Sequence, residues 1–444
     1  MFKNKKIFVL GMARSGYEVA KLLAKRNNLV ILNDIKEEQD LNHIKELKQL
    51  GVNVFLGISK LDLLDETFDY LVKNPGIRDD NEIVVKAKKL NIPVINEVEL
   101  SYNLLPNNVK IIGITGSNGK TTTTMLIYEI LKNAHKPVVL AGNMGYPLSG
   151  IVNYIKSGDI LLMEISIQQL CNFDKFKTNV AVLTNIYDAH LDFVGNKENY
   201  INIKKRIFNH HTKDDIAILN YDNIDVLKNT DDILSYKKYF SKNNTNVKCY
   251  VKDNAIYYDN KEIINTKELL LTGAHNYENV MAAIMVCKEF DVDDECIIST
   301  LKNFRGVEHR IEFVRELNGV KFYNDSKATN VIATQIALSS FKNPTILLLG
   351  GLDRGHRFDD LIPFMKNVKL VVSFGQTKDR INEFCKSNNI ICKVTENIDN
   401  AVQTAIDNSN IGDIILLSPA CASWDQFNSF EERGDKFKEI VNNL

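Results

Sequence analysis

The chain lacks the features that mark several functional classes. Its seven cysteines, at 171, 249, 287, 296, 385, 392 and 421, are odd in number and scattered, with no Cys-x-x-Cys pair. That spacing argues against a disulfide framework and a cysteine zinc site, and for a reducing cytoplasm. Lys and Arg total 55 against 56 Asp and Glu, a net charge of −1. No excess of either sign therefore draws the protein to nucleic acid or to a membrane surface. No apolar run nears the ~20 residues that cross a bilayer. The opening Met1-Phe-Lys-Asn-Lys-Lys-Ile-Phe-Val-Leu10 starts like a secretion signal, but its apolar stretch ends at Gly11-Met-Ala-Arg14. That is too short for a signal core. Short repeats and low-complexity tracts are missing, which excludes a solenoid. What remains is a soluble cytoplasmic protein of 444 residues, expected to be a monomer with room for about three domains at ~150 residues each.

Against this plain background, the run Lys110-Ile-Ile-Gly-Ile-Thr-Gly-Ser-Asn-Gly-Lys-Thr-Thr122 stands out. It reads as a buried strand breaking into a glycine loop, and Thr123 to Lys132 reads as the following helix. Leu126 with Ile130 and Ile127 with Leu131 supply its apolar i,i+4 pairs. A glycine loop at a helix N-terminus presents converging N–H groups and a positive dipole end. Polyphosphate binds there, with the lysine on the outer phosphates and the threonine on Mg²⁺. The glycines fall at Gly113, Gly116 and Gly119, whereas strict phosphate-loop spacing would place one at Ile114. The other reading is a tight turn closing a βα unit. The strand–loop–helix context favours ATP, bound by Gly116, Ser117, Asn118, Gly119, Lys120, Thr121 and Thr122.

Three α/β blocks are visible, over residues 1–104, 105–306 and 307–444. The first opens with a strand at Ile7 to Leu10, the turn Gly11-Met-Ala-Arg-Ser-Gly16 and a helix at Tyr17 to Ala24. Its second strand, Leu29 to Asp34, ends on a carboxylate. This is nearly the dinucleotide fingerprint, with Ala13 in place of the middle glycine and Asp34 near the acidic position. A nucleotide-binding turn and a plain βα turn both remain open. In the second block, Pro137 to Leu140, Ile160 to Met163 and Val180 to Leu183 are apolar runs, and 230–265 reads as peripheral strands. In the third, Thr345 to Gly351, Leu370 to Gly375 and Asp413 to Ser418 read as buried parallel strands. The closing helix carries Phe437, Ile440, Val441 and Leu444 on one face.

Open α/β sheets bind ligands at strand ends. Glu164 and Ser166 follow the run at 160–163, and Thr184 through His190 follow the run at 180–183. A carboxylate and an imidazole beside a phosphate loop can hold Mg²⁺. On the residues alone Glu164 could also be a salt bridge or cap, and His190 a hydrogen-bonded structural histidine.

Thr115-Gly-Ser-Asn-Gly-Lys-Thr-Thr122, Gly142-Asn-Met-Gly145, Thr184-Asn185 with His190-Leu-Asp192, and Gly273-Ala-His-Asn-Tyr-Glu-Asn279 together resemble the Mur ligases of peptidoglycan synthesis. Asn324-Asp-Ser-Lys-Ala-Thr-Asn330 and Ser418-Pro-Ala-Cys-Ala-Ser-Trp-Asp-Gln-Phe427, with Phe430-Glu-Glu-Arg433, resemble the branch that adds D-glutamate. The resemblance runs the length of the chain in order. It implies a Rossmann-like UDP-binding domain, a central P-loop ATPase-like α/β domain with extra strands, and a C-terminal Rossmann-like domain for the amino acid. It also implies a reaction of UDP-MurNAc-L-Ala, D-glutamate and ATP through an acyl phosphate, with two Mg²⁺ ions.

Residue by residue, the resemblance implies Lys120 on the β- and γ-phosphates, Thr121 and Glu164 on the first Mg²⁺, and His190 on the second. Lys204 matches a lysine carried as a carbamate that faces the metal. Without the family it would read as a solvated helix lysine, and the adjacent Lys205 leaves the register open. Asn276, Asn279, Arg310 and Asp325 match positions on adenine, ribose or phosphate. Ser15, Asp34 and Lys36 match the uracil pocket, Asn74 and Gly76 a loop near the diphosphate, and Asn143, Ser166 and Gln169 the muramoyl-alanine contacts. Lys327, Thr329, Ser423 and Phe430 match the D-glutamate site, with Arg354 replacing a carboxylate-gripping lysine. The chain departs from the family's Glu-x-Ser-Ser-Phe-Gln-Leu at Ile167 and Gln168, and its Gly350 to Gly355 loop differs in length from some relatives. Two alternatives are a folylpolyglutamate synthetase-like ligase and a nucleotide-sugar sensor without catalysis. The α/β block ahead of the phosphate loop and the Asp325-Ser-Lys-Ala-Thr329 stretch oppose the first. The joint presence of Lys120, Glu164, His190 and Lys204 opposes the second.

Overall fold

The computed structural model describes residues 2–189, 191–271, 273–355 and 357–444, without the side chain of Asp192. They form two compact units, Met1–Ile263 with Glu278–Ile297, and Ile264–Tyr277 with Ile298–Leu444. The described residues contain three β-sheets.

The first sheet holds β1 (Lys6–Leu10), β2 (Leu29–Asp34), β3 (Asn53–Leu56), β4 (Tyr70–Lys73) and β5 (Val94–Asn96), in the order β3-β2-β1-β4-β5. All four pairings are parallel. Ile7, Phe8 and Val9 are fully buried because both sheet faces are covered, which is why β1 reads as an unbroken apolar run. The helix after it spans Arg14–Ala24, three residues longer at its start than the sequence suggests. Gly16 lies inside that first turn, where an added Cβ would sit 1.8 Å from the Gly11 carbonyl oxygen.

The second sheet comprises β6 (Lys110–Thr115), β7 (Val138–Gly142), β8 (Ile160–Glu164), β9 (Val180–Leu183), β10 (Ile216–Asn220), β11 (Tyr236–Ser241), β12 (Cys249–Lys252), β13 (Ala255–Tyr258) and β14 (Lys261–Asn265). Their order is β14-β13-β12-β11-β10-β9-β6-β8-β7. The strands between 236 and 265 form one edge of the sheet. There β12 and β13 make an antiparallel hairpin whose turn residues, Asp253 and Asn254, have φ of 49° and 60°. Asp and Asn tolerate that left-handed backbone, and a turn of this hand matches the twist of its strands. β6 lies between β8 and β9, so the loop after it opens where strand order reverses.

The third sheet runs β15-β16-β20-β17-β18-β19, with β15 (Glu312–Leu317), β16 (Val320–Asn324), β17 (Thr345–Gly350), β18 (Val368–Phe374), β19 (Cys392–Val394) and β20 (Ile414–Leu417). Only β15 and β16 pair antiparallel. Leu347, Leu349, Val371 and Leu416 enter one core, while Ile346, Leu348, Leu370, Val372, Ile415 and Leu417 enter the core on the other face. Alternate residues thus fill opposite cores, as the pleat requires. The last helix, Phe430–Asn442, buries Phe437 and Val441, but Leu444 lies beyond its end and is 42 % exposed. Its placement on the buried face is therefore corrected: the helix stops before reaching it. No helix among the described residues is long and apolar enough to cross a membrane.

Candidate active site

Two glycines of the phosphate loop are required by close approach. At Gly116 (φ 149°) a Cβ would lie 1.9 Å from Thr184 Oγ1, and at Gly119 (φ 80°) 2.2 Å from Asn279 Oδ1. Only glycine fits either place. Gly119 caps the helix Lys120–Asn133. The first N–H groups of a helix have no partner within it, and the macrodipole adds positive potential. This is an anion-binding end. Lys120 folds back over the loop, its Nζ donating to the carbonyls of Gly116 at 2.8 Å and Ser117 at 2.9 Å.

The loop is braced by three residues that sequence reasoning did not assign to the site. Thr184 Oγ1 donates to the Asn118 carbonyl at 2.6 Å, and Asn185 Oδ1 accepts from the Asn118 N–H at 2.8 Å. The Tyr200 hydroxyl meets Ser117 Oγ at 2.8 Å. The polar pair Thr184-Asn185 directly after an apolar strand was the available signal. Tyr200, four residues before Lys204, shares its helix face.

Lys204 comes from the helix Lys197–Lys205 and is 1 % exposed. Its Nζ donates to Thr115 Oγ1 at 2.9 Å and to the Gly116 carbonyl at 3.0 Å. Burial, reinforced by the nearby Lys120 charge and opposed by Glu164, holds its ammonium well below the usual lysine range. Lys205 points elsewhere and pairs with Asp232 at 2.9 Å. The helix thus resolves which lysine faces the loop.

Glu164, at the end of β8, is 2 % exposed. Its Oε1 accepts from Asn143 Nδ2 at 2.7 Å. Its Oε2 is buried and has no hydrogen-bond partner among the described residues. An orphaned buried carboxylate oxygen is costly unless something positive completes it. An oxygen donor of this kind, with the Thr121 hydroxyl in the first helical turn, suits a hard divalent cation such as Mg²⁺. His190 lies outside the described residues. Of the two departures from the family pattern, Ile167 is buried in the hydrophobic core of this domain, and Gln168 is half-buried.

At the β1–β4 reversal point the expected uracil and diphosphate residues come together. Asp34 accepts from the Met12 N–H at 2.6 Å and the Lys36 N–H at 2.8 Å, and Lys36 itself is exposed. Asn74 Nδ2 donates to Ser15 Oγ at 3.0 Å, and Asn74 Oδ1 accepts from the Gly76 N–H at 3.1 Å. Ser166 and Gln169 form a capping box at a short helix start, so much of their hydrogen-bonding capacity serves each other.

The second unit carries the remaining candidates. Asp325 is 4 % exposed, accepting from Ser418 Oγ at 2.7 Å and the Ile311 N–H at 3.1 Å. Burial pushes its carboxyl up to about 7. Arg310 is exposed, and Asn276 begins the helix His275–Lys288. Lys327 Nζ lies 5.5 Å from the Phe430 ring centre, and the Arg354 guanidinium 4.7 Å from that of Trp424. The Thr329 N–H donates to the Lys327 carbonyl at 2.9 Å, which folds that segment into a tight turn. Ser423 Oγ is buried and unpartnered among the described residues. Arg433, at the end of the Phe430-Glu-Glu-Arg433 stretch, is fully buried. It ties the two loops of this region together, with Nη2 on the carbonyls of Ser326 at 2.9 Å and Cys421 at 3.1 Å.

The profile of the Mur ligase middle domain matches residues 114–287. That of the Mur ligase, glutamate ligase domain matches 309–421. The chain is 45 % identical over 446 positions to the UDP-N-acetylmuramoylalanine–D-glutamate ligase of Geobacillus kaustophilus (strain HTA426), covering 100 % of this chain and 98 % of that protein.

The chain is a Mur ligase.

Among solved structures, this Mur ligase is similar in fold to the UDP-N-acetylmuramate–alanine ligase MurC of Thermotoga maritima, with a TM-score of 0.59, 19 % identity and 99 % of each chain covered. The MurF ligase of Thermotoga maritima, solved in complex with ADP, gives a TM-score of 0.58 at 19 % identity, covering 99 % of this chain and 96 % of that one.

Proposed function

We propose that this Mur ligase joins D-glutamate to UDP-N-acetylmuramoyl-L-alanine at the expense of ATP, in cytoplasmic synthesis of peptidoglycan precursors. The observation that carries the reading is the likeness over the whole chain, at 45 % identity, to a relative named for that reaction. The domain division at 1–104, 105–306 and 307–444 belongs to the same proposal, one sheet to each domain. Seven unpaired cysteines fit a reducing compartment.

The chemistry suits the residues. The muramoyl-alanine carboxylate attacks the γ-phosphorus of ATP, ADP leaves, and an acyl phosphate forms. The D-glutamate amine then attacks that carbonyl, loses a proton and expels phosphate, leaving an amide. An anion attacks an anion in the first step, and an oxyanion develops in the second. Both need preorganised positive charge rather than a protein nucleophile. Lys120 and the helix N-terminus at Gly119 supply that charge on the β- and γ-phosphates.

Thr121 and Glu164 would hold one Mg²⁺, and His190 a second. When bound, Mg²⁺ neutralises phosphate and carboxylate charge. The orphaned Glu164 oxygen supports this assignment. Lys204 is proposed to carry a carbamate, formed when its neutral amine adds to CO₂ and releases a proton. Its burial beside the loop favours the neutral amine that this addition needs. Asn276, Asn279, Arg310 and Asp325 would contact the nucleotide. Ser15, Asp34, Lys36, Asn74, Gly76, Asn143, Ser166 and Gln169 would serve the UDP-sugar, and Lys327, Thr329, Arg354, Ser423 and Phe430 D-glutamate.

A substrate panel tests the reading. ADP release with UDP-MurNAc-L-Ala should require D-glutamate and should not proceed with L-glutamate, L-lysine, meso-diaminopimelate or a folate acceptor. Equal turnover with L-glutamate, or turnover with diaminopimelate, contradicts the D-glutamate assignment while sparing the fold.

A further inference from the structure

Trp424 is the chain's one tryptophan. It is 64 % exposed, yet it is not idle surface: the Arg354 guanidinium lies 4.7 Å from its ring centre. The segments bearing the two residues are pinned to each other, since the Leu352 N–H donates to the Ala422 carbonyl at 2.8 Å. The carboxylates nearest in sequence are engaged elsewhere. Asp353 accepts from Arg380 and from the Gly355 N–H at 2.8 Å, and Asp425 accepts from the Gln376 N–H at 2.9 Å. No carboxylate among the described residues pairs with Arg354. An indole face attracts a cation without neutralising it, and a guanidinium held over a ring can still make a two-pronged carboxylate contact through its N–H edge.

A second observation points to a ligand here. Ser423, next to Trp424, is 1 % exposed, and its Oγ has no partner among the described residues. Lys327 and Phe430 form a second cation–aromatic pair at 5.5 Å in the same unit.

We propose that Trp424 is a positioning residue for the incoming amino acid, holding the Arg354 guanidinium edge-open so that it grips the second carboxylate and selects a dicarboxylic amino acid over a monocarboxylic one. This rests on the D-glutamate reading above. A monocarboxylic amino acid leaves Arg354 without its anion, so the stack contributes to KM for the amino acid rather than to the chemical steps.

Steady-state kinetics on the intact enzyme test it. Trp424→Ala should raise KM for D-glutamate about five-fold, the scale of one cation–π contact at an exposed site, with kcat and the KM values for ATP and UDP-MurNAc-L-Ala unchanged. Trp424→Phe, which keeps a ring face, should restore KM to near the wild-type value. In the unmodified enzyme, the single tryptophan's emission should change on titration with D-glutamate and not with D-alanine. An unchanged KM in Trp424→Ala, an equal rise in all three KM values, or tryptophan emission indifferent to D-glutamate overturns the proposal. Failure of the wild-type enzyme to need D-glutamate at all overturns the underlying reading as well, which separates the two failures.

Discussion

Replacing Lys204 and Lys205 by alanine, one at a time, should give opposite results from adjacent residues. Successive helical side chains diverge by about 100°, and here one faces the phosphate loop while the other faces solvent and Asp232. Lys204→Ala removes two hydrogen bonds, to Thr115 Oγ1 and the Gly116 carbonyl. The Gly116 carbonyl still accepts from Lys120 at 2.8 Å, so it is not orphaned. At about 1 kcal/mol per net hydrogen bond, and with crowding against the Lys120 charge relieved, the stability cost should stay near ~2 kcal/mol. The fold should survive. Activity should not: losing a group preorganised at the site of charge development costs about 100-fold or more. If the group is a carbamate, acetate or formate should restore part of the rate by entering the vacated space. Lys205→Ala breaks a pair whose acid is 71 % exposed. That is worth under about 1 kcal/mol, and the rate should change less than two-fold. Denaturant melts and ADP-release rates on both variants make the comparison. A fully active Lys204→Ala, or a silent Lys204 with a dead Lys205, refutes the placement and the role together.

Three further outcomes follow from the same geometry. Lys120→Ala should lose at least about 100-fold in rate with an unchanged denaturation midpoint, because its amine donates to the Gly116 and Ser117 carbonyls of the loop that bears it; a fully active or an unfolded variant contradicts this. Glu164→Gln should shift the Mg²⁺ dependence of ADP release to higher concentration, and wild-type Mg²⁺ curves would return Glu164 to a structural role. His211 is 3 % exposed between Thr178 and Ser235, each at 2.7 Å, and burial pushes it down to about 4. The unfolded chain therefore binds a proton near pH 6.5 that the folded one refuses, so stability is full above about 6.5 and falls as pH drops toward 4. Denaturation midpoints at neutral and mildly acid pH should fall less in His211→Asn than in the wild type, and equal falls would refute the assignment.

The phosphate loop was legible in the sequence because its signal is local: an apolar run, glycines at fixed spacing, a lysine and an apolar helix. The parallel strands of the third sheet were legible for the same reason, since burial on both faces writes an unbroken apolar run. Strands β15 and β16 were not, because each mixes charged and apolar residues and depends on its partner. The choice between Lys204 and Lys205 depended on helix phase against a loop nearly ninety residues away, which no local pattern carries. The bracing of the loop by Thr184, Asn185 and Tyr200 is equally long-range. Asp34 was visible as a carboxylate at a strand end, but its two backbone hydrogen bonds across the glycine turn emerge only from the fold. Arg433 sits among the residues that marked the family, yet nothing in its spacing announces a fully buried guanidinium joining two loops.

The central claim is formation of an amide between D-glutamate and the lactoyl-alanine carboxylate of the UDP-sugar, driven by ATP. Mass spectrometry of the reaction mixture tests it most directly. The account predicts a product with the combined mass of UDP-MurNAc-L-Ala and D-glutamate less one water, appearing in step with ADP and phosphate and only when all three substrates are present. ADP released without that product, or the product formed without ATP, would contradict it.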